Sequence, residues 1–354
     1  MKHATVRKNL LGWYRRNRRD LPWRRTRDPY KIWISEAMLQ QTRVETVIPY
    51  YQRFLERFPT VASLAEAESD DVLGAWAGLG YYSRARNLQS AAQAVMDRHG
   101  GKLPETADVL RELPGIGRYT AGAIASIAFD RPEPVVDGNV ARVLTRLLNI
   151  HEDVKDPAVT ARLWDEAAKL AAGPDPGDFN QALMELGATV CTPKSPRCVD
   201  CPVARSCAGR RAGDPERLPN KAKPPAPKRI EAVAGLVLRR GKALAVRRPP
   251  RGLLGGLWEL PGGELTAREK PLYGIQRTLR DRVGLSVPGA ERVGAVEHAF
   301  THRRLRLHVY RCEAPEGRVK LDGFDAHRWL SPRGLPNLPQ SAVMRKALEL
   351  LAER

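Results

Sequence analysis

Four groups of residues in this 354-residue chain have types and spacings that can do chemistry. The first is LPGIGRYTAG, residues 113–122. Gly115 and Gly117 remove side chains where the backbone must approach something closely. The helix-forming run behind them presents free N–H groups and a positive dipole end at the turn. A phosphate fits that geometry without any reading of base sequence; a plain interhelical turn is the alternative. The second group is VVDGNV, where Asp137 stands just before a helical run, a favoured place for an N-cap. The third is KIWISEAMLQQTRVETVIPY. Its Glu36 sits among apolar residues on a predicted helix, where loss of water raises a carboxyl pKa and keeps the group available as an acid. The fourth, CTPKSPRCVDCPVARSC, sets Cys191, Cys198, Cys201 and Cys207 in the pattern C-x6-C-x2-C-x5-C. Four thiolates without histidine suit zinc or an iron–sulfur cluster. Spacing alone does not separate them, although a zinc knuckle more usually shows two C-x2-C pairs. Lys194, Arg197 and Arg205 lie among these cysteines, where they can face phosphates. Cys312, in a strand-like run, reads as a small buried apolar residue.

The elements that must position these groups fall into two classes. Residues 1–209 show apolar spacing of three and four in run after run, with Pro and Gly in the gaps, and predict an all-α domain. Residues 210–228, RRAGDPERLPNKAKPPAPK, are basic and Pro-rich without an apolar period, and predict an extended linker. Residues 229–354 alternate strand-like runs (IEAVAGLVLRR, KALAVRRP, RVGAVEHAF, LRLHVYRCEA) with a helical segment, PLYGIQRTLRDRVG, and end on a second helix. They predict a small α+β domain. The length favours two domains and the 42% apolar content supports packed cores. The formal net charge of +19 points to a polyanion partner. It is uneven: from Arg210 onward there are 30 basic and 15 acidic residues. No apolar run reaches bilayer-spanning length and the N-terminus does not read as a secretory signal, so the expectation is a cytoplasmic protein with no membrane partner.

At this point a resemblance can be stated. LPGIGRYTAGAIASIAF followed by VVDGNVARV resembles the helix-hairpin-helix, Gly/Pro-rich loop and aspartate of the base-excision DNA glycosylases, and the likeness runs over nearly all of residues 10–207. The cysteine spacing at this distance is similar to the [4Fe–4S] loop of the endonuclease III and adenine glycosylase branch. Relatives that also cut the strand carry lysine where this chain has Tyr119. A lysine amine forms a Schiff base with the sugar and a phenol does not, so the resemblance implies a monofunctional enzyme. Glu36, Gln40, Gln41 and Thr42 resemble the adenine glycosylase (MutY) pattern, and GLGYYSRARNL resembles that family's wedge, with Leu79 and Tyr81 inside the duplex. The implied roles follow. Glu36 protonates adenine at N7, Asp137 stabilises the oxocarbenium ion or bonds to it transiently, and Tyr119 and Asn139 position that aspartate. Gln181 meets the adenine edge, while Trp23 and Arg24 line the same pocket.

GGELTAREKPLYGIQRTLRDRVGL resembles a Nudix box in which Gly263, Glu269, Arg277, Gly284 and Leu285 fit. The places of the helix glutamates hold Thr278, Asp281 and Arg282. Magnesium needs several carboxylates around substrate phosphates, so this implies the fold of a nucleotide hydrolase without its catalysis. The domain looks like the lesion-sensing C-terminal domain of adenine glycosylases, and Phe300, Thr301 and His302 match that family's F-S/T-H loop. The expectation is a monomeric glycosylase acting on A:8-oxoguanine or A:G mispairs in double-stranded DNA, with a [4Fe–4S] cluster. A thymine- or uracil-mismatch glycosylase of the same fold lacks a reason for the sensor domain and for Gln181. A catalytically silent damage binder does not explain Glu36 and Asp137 together.

Overall fold

The computed structural model describes residues 2–220, 225–314 and 316–353. The chain divides into two compact units, Met1–Glu66 with Asn87–Lys223, and Ala67–Arg86 with Pro224–Arg354. Its helices in chain order are α1 (His3–Asn17), α2 (Pro29–Leu39), α3 (Val44–Arg57), α4 (Val61–Ala65), α5 (Ser69–Trp76), α6 (Ser83–His99), α7 (Ala107–Leu110), α8 (Arg118–Phe129), α9 (Gly138–Leu148), α10 (Pro157–Ala171), α11 (Pro176–Thr189), α12 (Ala208–Arg211), α13 (Pro271–Val283) and α14 (Ala342–Ala352). The all-α expectation for the first unit holds.

In the first unit the helix starts are written into the sequence. Asp28 accepts the N–H groups of Tyr30 and Lys31 ahead of Pro29, and Asp156 does the same for Ala158 and Val159 ahead of Pro157. These caps satisfy donors that a helix leaves open, and proline fits the first turn because its missing N–H is not needed there. Helix α2 is buried along almost its whole length, from Tyr30 to Met38, and packs on α3 and α8. Helix α11 packs against α1, α8 and α9. A Cβ on Gly187 would lie 2.6 Å from Cβ of Asn139, so only glycine lets α11 close this tightly on the start of α9.

Residues 210–220 depart from the expected linker. Leu218 is 2% exposed, and its carbonyl accepts from Arg146 Nε at 2.9 Å. The carbonyl of Asn220 accepts from the Val154 N–H. Leu218 supplies the apolar anchor that holds this stretch to the helical unit. Residues 221–224 of the expected linker lie outside the described residues.

The second unit has a mixed sheet in the order β3-β2-β1-β6-β5, with β4 paired to β1 and β7 to β2. The strands are β1 (Lys228–Arg239), β2 (Lys242–Arg247), β3 (Trp258–Glu259), β4 (Gly262–Glu264), β5 (Ala290–Ala299), β6 (Arg303–Glu313) and β7 (Ala326–Leu330). The pair β1–β6 is parallel and runs in register from Lys228↔Arg303 to Leu238↔Glu313. A parallel pair is covered on both faces, which is why β1 is buried without a break over Ala232–Leu236's first four residues rather than alternating. Ile275, Leu279 and Val283 of α13 pack with Val233, Val237 and Tyr310 in one cluster, and Val343, Met344 and Ala347 of α14 pack with Ala232, Ala234 and Val309 in another. Cys312 is buried among the first group. This is the α+β arrangement expected for the C-terminal part.

Candidate active site

The helical unit holds a cavity of about 490 Å³ lined by Trp23, Arg24, Glu36, Gln41, Thr42, Tyr119, Asp137, Asn139 and Gln181, among others. Residues far apart in sequence and expected to act together do line one pocket. Its size is that of a small-molecule site.

Glu36 projects from α2 and is 4% exposed. Tyr119, in the first turn of α8, donates its hydroxyl to Glu36 Oε2 at 2.7 Å. Burial pushes the Glu36 carboxyl up to about 7; the Asp137 charge adds to this, while the Tyr119 bond and Arg24 oppose it. Burial also raises the Tyr119 phenol, so it stays a neutral donor. Asp137 caps α9: Oδ1 accepts the Val140 N–H at 2.7 Å and Oδ2 accepts Asn139 Nδ2 at 3.0 Å. Burial raises its carboxyl, against the pull of these bonds and of Arg142. Glu36 and Asp137 thus bring two carboxyls to the pocket, and Glu36 keeps its proton far more readily than an ordinary glutamate.

One participant was missed in the sequence. Glu185 on α11 is fully buried and receives Arg19 on both oxygens and Arg24 on Oε2, each at 2.8 Å. Burial pushes this carboxyl up, but the Arg19 and Arg24 bonds outweigh it and hold it at about 2. The spacing Gln181–Glu185 puts both on one helix face, the signal that would have found it. Arg24, expected at the substrate, lines the cavity with its guanidinium committed to Glu185 and to the Arg19 carbonyl. Trp23 is packed edge-on against Tyr51.

The hairpin turn has two different glycines. Gly115 has φ +75°, and a Cβ there would also strike the Asn87 side chain at 2.5 Å. Gly117 caps α8 without a side-chain bond, and a Cβ there would meet nothing within 4 Å. The space in front of the α8 N-terminus is open, as an approaching phosphate requires. Gln41, beside the pocket, is exposed with φ 57°, a left-handed backbone uncommon for a non-glycine residue.

Cys191, Cys198, Cys201 and Cys207 line one small cavity with Arg146 and Arg210. All four are unbridged and half-buried, and Lys194, Arg197 and Arg205 around them are exposed. Burial raises the thiols of Cys201 (to about 11) and Cys207, with the neighbouring cysteine charges contributing to both. Four thiols around one shared space fit a cationic centre that would bind them as thiolates. Arg146 donates to Cys191 Sγ at 3.3 Å and to the Thr192 and Pro193 carbonyls. One turn earlier on α9, Arg142 donates to the carbonyl of Cys191 and to Asn139 Oδ1. Helix α9 therefore carries Asp137 at its start and the supports of the first cysteine along its side.

In the second unit, Thr301 and His302 are exposed at the β5–β6 turn, and Phe300 is half-buried under them against the β-sheet core. Tyr81 is 44% exposed, as an inserting side chain must be, but Leu79 is not: it is 6% exposed. Leu79 is packed into protein instead. At the Nudix box, Glu269 is paired with Arg277 at 2.7 and 2.8 Å. Thr278 is buried and bonds back to the Gly274 carbonyl, and Arg282 donates to the Gly262 carbonyl and lies over the Phe324 ring. A threonine turned into its own helix and an arginine occupy places where a hydrolase would put carboxylates.

Comparison with known proteins places both units. Residues 34–169 match the HhH-GPD superfamily base excision DNA repair protein family and residues 233–350 match the NUDIX domain. The rat adenine DNA glycosylase is 39% identical over 405 residues, covering 99% of this chain and 78% of that protein. The human adenine DNA glycosylase is 40% identical over 407 residues, covering 98% and 74%. Among solved structures, a thermostable thymine-DNA glycosylase superposes with TM-score 0.54 at 28% identity, over 60% of this chain and 97% of its own. A trapped endonuclease III–DNA covalent intermediate gives TM-score 0.50 at 23% identity over 60% and 98%, which is a likeness of fold. With nearly all of this chain matched to these relatives, it belongs to the adenine DNA glycosylase family, enzymes of base excision repair that act on DNA.

Proposed function

We propose that this enzyme hydrolyses the N-glycosidic bond of adenine paired opposite 8-oxoguanine or guanine in duplex DNA, and leaves the strand uncut. The observation that carries the reading is the pair of carboxyls in one pocket: Glu36, buried and held by Tyr119 at 2.7 Å, and Asp137, fixed at the start of α9. Adenine leaves poorly as an anion. A Glu36 that still holds its proton near neutral pH supplies that proton to the purine at N7 as the C1′–N9 bond lengthens. The sugar becomes electron-poor, and Asp137, oriented by Asn139, stabilises the positive charge until water adds at C1′. Gln181 and Gln41 line the pocket where the flipped base enters. Tyr119 offers no amine for Schiff-base chemistry.

Cys191, Cys198, Cys201 and Cys207 would hold a [4Fe–4S] cluster. The reading is supported by the four thiols that line one shared cavity. Bound, the cluster supplies cross-linking of the 191–207 loop through iron–sulfur bonds. The loop then presents Lys194, Arg197 and Arg205 to the DNA backbone.

One duplex assay tests the activity. Strand breaks at A:8-oxoguanine that appear only after alkali are expected; breaks without alkali contradict the role given to Tyr119, and no breaks at all reject the substrate. Glu36→Gln and Asp137→Asn should each abolish single-turnover excision, and near-normal excision by either rejects its role. Absorbance at about 400 nm in purified protein is expected of an iron–sulfur cluster and not of zinc.

A further inference from the structure

Met184 shares a face of α11 with Gln181. It is half-buried and lines the catalytic cavity. Its sulfur lies 3.2 Å from the Tyr119 hydroxyl, and the same hydroxyl lies 2.7 Å from Glu36 Oε2. The phenol thus has two acceptors in reach and a single hydrogen to give. Burial keeps that hydrogen on the phenol by raising its pKa. The bond from Tyr119 pulls the Glu36 carboxyl down against the larger effect of burial. The charged groups facing Glu36 are Asp137, at the start of α9, and Arg24, which is paired with Glu185 of α11 beside Arg19. Asp137 is occupied at both oxygens by Val140 and Asn139. The direction of the Tyr119 hydrogen is therefore a choice between Glu36 and Met184.

We propose that Met184 is a positioning residue for proton delivery: its sulfur accepts the Tyr119 hydrogen while Glu36 is protonated, and yields it to Glu36 Oε2 as Glu36 gives its proton to the base. The inference rests on the reading above that Glu36 is the acid. A neutral carboxyl is an ordinary acceptor, and a thioether competes with it for the phenol hydrogen. A carboxylate is a far better acceptor, because a bond to an ionised group is about twice as strong as one between neutral groups. The hydrogen therefore turns from sulfur to Oε2 when the Glu36 O–H bond breaks and a bond to the purine forms. Tyr119 keeps its proton throughout; only its hydrogen bond changes partner. A weak acceptor suits this place. A strong one would hold the hydrogen after Glu36 had ionised, and a plain hydrocarbon would leave it on Glu36 at all times, favouring the ionised form before the base arrives.

The test is the pH profile of single-turnover adenine excision from an A:8-oxoguanine duplex, measured with the full-length protein and its variants. Met184→Leu conserves volume and removes the acceptor. The midpoint of the alkaline limb should fall by about half a pH unit, the size of one weak hydrogen bond. Met184→Gln returns an acceptor of similar reach and should bring the midpoint back. Tyr119→Phe removes the bond that favours ionised Glu36 and should move the midpoint upward. In that background Met184→Leu should add no shift, because the hydrogen it redirects is gone. A residue that merely packs would change the rate without moving the limb. An unmoved midpoint in Met184→Leu, or the same shift with and without the Tyr119 hydroxyl, overturns this inference and leaves Glu36 as the acid. An alkaline limb that persists in Glu36→Gln overturns the assignment of the acid, and this inference with it.

Discussion

In the helical unit, Glu36 is buried beside a phenol and another carboxyl, and burial pushes its carboxyl up to about 7. In the sheet unit, Glu269 is bonded twice by Arg277 and to the Thr266 N–H, and the Arg277 bonds hold it down at about 2. Both glutamates sit in segments that resemble catalytic motifs. What separates them is the neighbour. A buried carboxyl that no arginine bonds keeps a proton it can give away, and one clasped by arginine is a fixed anion that holds structure. Glu185 shows that surface burial is not the deciding variable: it too is buried and lines the same cavity, and two arginines take it to the opposite extreme.

This contrast can be broken at several points. The largest effect is expected from Glu36→Gln, which should lower single-turnover excision by about 10²- to 10⁴-fold, the usual contribution of a positioned acid. In the unaltered protein the rate should fall as pH rises through about 7, where Glu36 loses its proton. Glu185→Gln should cost about 3 kcal/mol in denaturant titration, because it leaves Arg24 as a buried charge without a counter-ion while the part-exposed Arg19 adds little. It should also move the alkaline limb of the excision profile to lower pH, since an unopposed Arg24 favours ionised Glu36. A third test uses stability alone. A carboxyl raised from 4.5 to about 7 contributes stability below its ordinary value and loses it as pH rises through 7, by up to about 3 kcal/mol. Glu36→Gln should therefore raise the melting temperature at about pH 8, and the gain should vanish toward pH 4.5. The smallest effect belongs to the other unit: Glu269→Gln should cost under about 1 kcal/mol and leave excision unchanged, as expected for a surface ion pair.

Much of the catalytic pocket was legible because its residues sit at places where local rules are strong. Asp137 before a helical run reads as a cap, and it is one. Glu36 in an apolar helix reads as a desolvated acid. The hairpin glycines mark a turn. Glu185 was hidden because a charge on an amphipathic helix normally faces water, and only its two partners from the α1–α2 connection show otherwise. The burial of Leu79 was hidden for a related reason: sequence reports that a side chain is apolar, not what covers it. The short strands β3, β4 and β7 carry too few residues for an alternating pattern, and the grouping of 67–86 with the sheet unit depends on tertiary partners such as Trp258 and Gln340.

Asp137 is bolted at both oxygens, one to the backbone of Val140 and one to the amide of Asn139. A carboxylate tethered twice has little freedom to swing toward a sugar. The travel needed to bring the two into register therefore falls to the nucleic acid, and the enzyme's contribution at that step is to be the stationary partner.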